Sequence, residues 1–233
     1  MQIRDIALDK ILFLDIETVP ICADFADLDE RGQALWTKKT ERWQHTEQTD
    51  AEAIYNRAAI FAEFAKVVCI SVGLAVKKQD DWVVRIKSFY GDDEKSILQD
   101  FAYLLENKCH NYYLCAHNGK EFDYPFLSRR MLVQGITLPN NLNVQGKKPW
   151  ETEHLLDTMH LWRFGDHKNY TSLDLLAYTF GIETPKSDIS GADVAKVYYQ
   201  EQDLARIVRY CEKDVLTIMQ IFRKMRGEDL LGG

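Results

Sequence analysis

Asp15 and Glu17 stand two residues apart at the end of the apolar run Ile11-Leu12-Phe13-Leu14. In an extended chain, side chains at i and i+2 share a face, so the pair presents two carboxylates side by side. Like charges this close repel unless a cation joins them, although alone the pair reads more readily as the solvated end of a strand. Asp123 follows a second apolar run, Tyr112 to Ala116, and opens a helical pattern. An aspartate there caps a helix well, and ligands gather at strand ends in α/β sheets. Tyr210 and Asp214, four residues apart on the last helical pattern, stack on one face at the border of its apolar stripe. Together these residues supply four carboxylates and a phenol.

The elements that must position them are legible in the periodicity. Residues 11–16 read as a strand buried on both faces, and 66–76 and 82–90 as a β-branched, aromatic hairpin broken by polar residues 77–81. Ile97, Leu98, Phe101, Leu104 and Leu105 fall at helical spacing, 112–116 reads as a strand, and 124–135 as a helix stopped by Gly135. A short strand at 155–157 precedes a helix capped by Thr171 or Ser172 and ended by Gly181. The final helix, about 203–225, carries the stripe Leu204, Ile207, Val208, Cys211, Val215, Ile218, Met219 and Phe222. Strands alternating with helices after a hairpin predict an α/β fold with a mixed sheet. Residues 24–64, with Trp36, Trp43, Tyr55 and a helical run at 54–64, read as an inserted helical pair after the first strand, and 139–153 as a loop.

At 233 residues and 46% hydrophobic content the chain is the size of one large domain, so 1–233 is expected to form a single unit. No apolar run approaches the roughly 20 residues that cross a bilayer, and the charged start lacks a signal peptide's apolar stretch, so a soluble cytoplasmic protein is expected. The five cysteines are scattered without a Cys-x-x-Cys pair, which predicts reduced core thiols. His154, His160 and His167 have no zinc-site spacing and read as surface or packing residues. A net charge of −7 argues against coating nucleic acid by bulk electrostatics. It is compatible with a carboxylate site whose bound cations meet a phosphate.

Three segments carry a resemblance: Phe13-Leu14-Asp15-Ile16-Glu17-Thr18; Asn118 to Arg130, with Phe122-Asp123 and Pro125-Phe126-Leu127 inside it; and Tyr210-x-x-x-Asp214. They resemble, in order and spacing, the exonuclease motifs of the DEDD superfamily, the tyrosine marking its DEDDy branch. The chain as a whole resembles stand-alone bacterial proteins related to the proofreading exonuclease domain of family B DNA polymerases. The resemblance implies a ribonuclease-H-like fold, a mixed five-stranded sheet flanked by helices. It implies that Asp15, Glu17, Asp123 and Asp214 hold two Mg²⁺ or Mn²⁺ ions, roughly 3.5–4 Å apart in such sites. Tyr210 would orient the attacking water, and Thr18, Asn118 and Phe122 would lie near the terminal nucleotide.

The expected activity is 3′→5′ removal of nucleoside 5′-monophosphates from DNA, with single strands or frayed 3′ ends preferred. An RNA-trimming exonuclease is the nearest alternative, and a catalytically silent nucleic-acid-binding module of the same fold the next. Lys120, Arg129, Arg130, Lys147, Lys148, Lys168 and Lys186 are available to track phosphates, and Tyr124, Trp150 and Tyr170 to stack on bases. Asp157 reads first as a helix cap before 158–164, with support for the site as the alternative, and 24–64 as a surface for a protein partner.

Overall fold

The computed structural model describes residues 2–79, 81–166, 170–183 and 189–231. Its centre is a five-stranded sheet in the order β3-β2-β1-β4-β5. The strands are β1 (Ile11–Pro20), β2 (Ala65–Lys78), β3 (Asp81–Tyr90), β4 (Tyr113–Ala116) and β5 (Leu155–Asp157). β2 is antiparallel to both β1 and β3, whereas β1, β4 and β5 run parallel. This is the mixed, ribonuclease-H-like arrangement expected from the sequence.

The alternation of β1 divides the core. Leu12, Leu14 and Ile16 point into one apolar layer with α2 (Glu94–Asn107) and α3 (Asp123–Val133). Ile11 and Phe13 point to the opposite layer, against Val215, Ile218, Met219 and Phe222 of α7 (Leu204–Met225). Period two therefore continues Asp15 and Glu17 along the α7 face. α7 lies close to the sheet because position 73 is glycine: a Cβ there would stand 2.7 Å from Val215 Cγ1.

Strand one is longer than expected. It continues through Pro20, with a register shift between Glu17 and Thr18, so the two acids lie inside the strand and not at its end. Its pairing with β4 stops at Phe13, which leaves the β4 side of β1 open beside the acids.

The insertion contains one α-helix, α1 (Glu30–Glu47), capped by Asp29, whose carboxylate accepts from Gly32 N–H. The second expected helix is instead the 3₁₀ segment Tyr55–Ile60. Trp36 is fully buried between Tyr55, Phe61 and Phe64 in edge-on packing, and its indole N–H donates to Ala51 O at 2.7 Å. Aromatic packing of this kind holds the segment in tighter turns than helical propensity alone would choose. The 139–153 loop forms with one 3₁₀ turn, Pro149–Glu151. Downstream come α4 (Thr158–Arg163), α5 (Leu173–Thr179) capped by Ser172, and α6 (Val194–Lys196) running into a π-helical turn, Val197–Glu201. Among the described residues no helix is long and apolar enough to cross a membrane.

α2 and α3 are locked by a buried ion pair. Arg130 donates to both Glu94 carboxylate oxygens at 2.8 and 2.6 Å and to Ala62 O at 2.8 Å, and Glu94 also accepts from Val67 N–H and Gln134. Removing one partner of a buried pair strands the other charge, at a cost of about 3–5 kcal/mol. Glu94→Ala is therefore expected to lower unfolding stability by about that amount, read from the denaturant midpoint. A shift typical of a surface substitution would show that the pair does not organise these helices.

Candidate active site

The site forms where three elements meet at the open side of β1. Asp15 and Glu17 come from β1, Asp123 from the first position of α3, and Tyr210 and Asp214 from consecutive turns of α7. Asp15 is half-buried and Glu17 buried. A tight inner group consists of the Asp15 and Glu17 carboxylates and Cys211 Sγ, whose ligand atoms all lie within 4.8 Å of one another. Asp123 and Asp214 stand outside this inner group but act on it: their charges raise the pKa of both strand carboxylates.

Burial is the largest influence on all four acids. It pushes Asp15 and Glu17 well above the carboxylate range, and the neighbouring carboxylates push in the same direction. Asp123 is raised to about 8 by burial despite backbone hydrogen bonds from Ile16 and from itself, and Asp214 to about 6. Tyr210 shares a hydrogen bond with Asp214, and burial followed by the surrounding carboxylates holds its hydroxyl protonated. Glu17 is 6% exposed, and no hydrogen bond from a described residue reaches its carboxylate. Buried acids that repel one another, one of them unpartnered, form a donor set suited to hard divalent cations.

The loop 117–122 aims Asp123. Asn118 adopts φ 60°. At Gly119 a Cβ would meet Ala116 Cβ at 2.5 Å and the Tyr124 ring at 3.0 Å. Asp157 fixes the loop from β5, its carboxylate accepting from Asn118 N–H and Lys120 N–H at 3.0 Å each while also capping α4 through Met159 and His160 N–H. Cap and support for the site are thus one arrangement. His117 ties the same loop to Thr158 Oγ1 and Thr171 O, both at 2.9 Å.

Two of the expected contact residues, Arg130 and Tyr124, are turned into the core. Arg130 is consumed by Glu94 and is buried, so it is not a phosphate contact. Tyr124 is 2% exposed and donates to Leu156 O at 2.5 Å, so it is not a stacking platform. Thr18 is buried with its hydroxyl committed to Ala59 O at 2.7 Å. Asn118 Oδ1 is buried without a hydrogen-bond partner, and Phe122 is half-buried against Phe126. Lys120, Arg129, Lys147, Lys148, Trp150 and Tyr170 are exposed. His167, Lys168 and Lys186 lie outside the described residues.

Sequence reasoning placed Cys211 in the core and missed its contact with the site. The available signal was its position beside Tyr210 on the stripe that faces the Asp15 side of β1. Asp174 of α5, which raises the pKa of Asp214, was also missed, because nothing local marks α5 as a neighbour of α7.

Fold and site together define an α/β protein of ribonuclease-H-like architecture with a buried carboxylate centre. A family model described as "Predicted 3'-5' exonuclease related to the exonuclease domain of PolB" matches residues 60–229, and the chain belongs to that family. The match begins beyond Asp15 and Glu17. Among solved structures the chain is similar to the family B DNA polymerase from the hyperthermophilic archaeon Pyrobaculum calidifontis, with 16% identity and a TM-score of 0.57. That similarity covers 92% of this chain and 24% of the polymerase, so the chain spans about a quarter of that protein's length. No curated protein matches the chain.

The raised acids predict a pH dependence. Between 3.8 and the folded-state values of about 6 for Asp214 and about 8 for Asp123, the folded chain holds protons that the unfolded chain has released. Without metal, this contribution to stability is present at low pH and lost as pH rises through those values. A divalent cation requires the ionised forms and competes with these protons. The rise in melting temperature on replacing EDTA with Mn²⁺ is therefore expected to be larger at about pH 8 than at about pH 5. Equal increments in calorimetric scans at the two pH values would contradict this electrostatic description.

Proposed function

We propose that the protein is a divalent-metal-dependent 3′→5′ exonuclease that releases nucleoside 5′-monophosphates from DNA, preferring single strands or frayed 3′ ends. The observation that carries this reading is the convergence of Asp15, Glu17, Asp123 and Asp214, with Tyr210, on one side of β1 in a chain of this family. We take 1–233 as a single catalytic unit in the cytoplasm, with 24–64 as an insertion available to a protein partner.

The four acids would hold two Mg²⁺ or Mn²⁺ ions, which when bound lower the pKa of an attacking water and stabilise charge on the leaving 3′ oxygen. The chain's own residues supply position. Tyr210, kept protonated by burial, presents an O–H that orients water without removing its proton. Without metal that O–H is donated to the Asp214 carboxylate, which keeps the phenol in place; with Asp214 taken up by a cation it would be free to turn to the water. Asn118, with a buried and unpartnered side-chain oxygen, and Phe122, with a half-buried ring, would meet the terminal nucleotide. Thr18 donates its hydroxyl proton to Ala59 O and keeps an oxygen lone pair to offer the terminal nucleotide. Tyr170, exposed in part yet raised in pKa by the burial of its hydroxyl end and then by Asp123 and Asp157, would offer its ring to a neighbouring base.

The test uses oligonucleotides labelled at either end, as DNA and as RNA, incubated with Mg²⁺, Mn²⁺ or EDTA. Metal-dependent shortening of DNA from the 3′ end is expected, and faster shortening of RNA would move the substrate assignment to RNA. Asp15→Ala is expected to abolish shortening. Tyr210→Phe should lose about 10²–10³-fold, the usual effect of deleting one positioned hydrogen-bond donor. Absence of shortening on either polymer would sink the reading, and a fully active Asp15→Ala would show that the centre lies elsewhere.

A further inference from the structure

Cys211 is the group at the centre that the proposed hydrolysis does not use. Its Sγ donates to Asp15 O at 3.3 Å and belongs, with the Asp15 and Glu17 carboxylates, to the group of ligand atoms within 4.8 Å of one another. Behind it, Cys69 pairs opposite Glu17 in the β1–β2 register and hydrogen-bonds to Cys211. Tetrahedral donors about 2.0–2.3 Å from an ion stand about 3.3–3.8 Å apart, and atoms that already lie within 4.8 Å of one another are close to that spacing. Glu17 supplies an independent sign that a ligand is wanted: it is 6% exposed, points into the group, and receives no hydrogen bond from a described residue.

We propose that Asp15, Glu17 and Cys211 form a mixed oxygen–sulfur site for a thiophilic divalent cation such as Zn²⁺, and that its occupation blocks the exonuclease. The inhibition rests on the function proposed above, but the binding site does not. Carboxylates suit Mg²⁺ and Mn²⁺, whereas a thiolate selects Zn²⁺ over both. Three protein donors leave a fourth tetrahedral position for water. On binding, the Cys211 S–H bond breaks, an S–metal bond forms, and the proton leaves to solvent, so affinity rises with pH. Because Asp15 and Glu17 are shared, the thiophilic ion and the hard ions exclude one another.

The metal-free protein is titrated with Co²⁺ as a spectroscopic substitute for Zn²⁺. The expected result is a sulfur-to-cobalt charge-transfer band in the near ultraviolet that Zn²⁺ bleaches, that Cys211→Ser and Cys211→Ala abolish, and that Cys109→Ser retains. In parallel, Zn²⁺ is added to Mg²⁺-supported shortening, with each variant read against its own uninhibited rate. Cys211→Ser should raise the half-inhibiting Zn²⁺ concentration at least about tenfold, since even residues behind a ligand change affinity by that factor. No band in the unmodified protein, or a band that survives in Cys211→Ser, overturns the site. A band that behaves as expected in a protein without nuclease activity upholds the site and removes the exonuclease reading instead.

Discussion

The partial or complete burial of four neighbouring carboxylates is the constraint around which the rest of the structure is arranged. Asp15, Glu17, Asp123 and Asp214 are all raised in pKa, chiefly by burial and, for the two strand acids, also by the charges of Asp214 and Asp123. Left to relax, such groups would turn toward solvent. They are held because they stand on three rigid supports: Asp15 and Glu17 on β1, Asp123 on the first turn of α3, and Asp214 in the middle of α7. A site on stiff elements keeps its geometry better than one on loops, and here the restraint must also oppose the electrostatics.

Each support is secured by an interaction remote from the acids. α7 approaches the sheet because Gly73 leaves room for Val215, which brings Tyr210 and Asp214 over the β1 face that Asp15 and Glu17 share. α3 is anchored at its far end by Arg130 and Glu94, and at its near end the loop from His117 to Phe122 hangs from Asp157. The charged pair beneath α3 is therefore part of the apparatus that aims Asp123, although it touches nothing in the site. Early termination of the β1–β4 pairing completes the arrangement, because only past Phe13 is the edge of β1 free to meet Asp123.

Much of this was legible from periodicity. The two-residue alternation of β1 already put Asp15 and Glu17 on one face, and the helical stripe of α7 already set Tyr210 and Asp214 at its border. What stayed hidden were facts about partners. Arg130 and Tyr124 have side chains apt for phosphate and base, and only the packing of α3 shows both turned inward. The length of β1 was underestimated because Asp15, Glu17 and Thr18 interrupt the apolar pattern, as buried polar groups at a functional site do. Residues 54–64 carry a helical pattern yet form a 3₁₀ segment, since the cluster around Trp36 overrides local preference.

The acidity of the chain gains a physical meaning from these placements. With a net charge of −7 and Arg130 withdrawn into the core, a polyanion finds little general attraction at the surface. Affinity under the proposed function must then concentrate where cations neutralise the acids and exposed rings such as Tyr170 accept a base. A protein that holds a strand in this way is anchored at a point and not along a groove. Point anchoring suits removal of one terminal nucleotide at a time, and it makes each cycle depend on the cations that fill the centre. Any ion that took Asp15 and Glu17 without supporting hydrolysis would therefore remove both the chemistry and most of the grip on the strand.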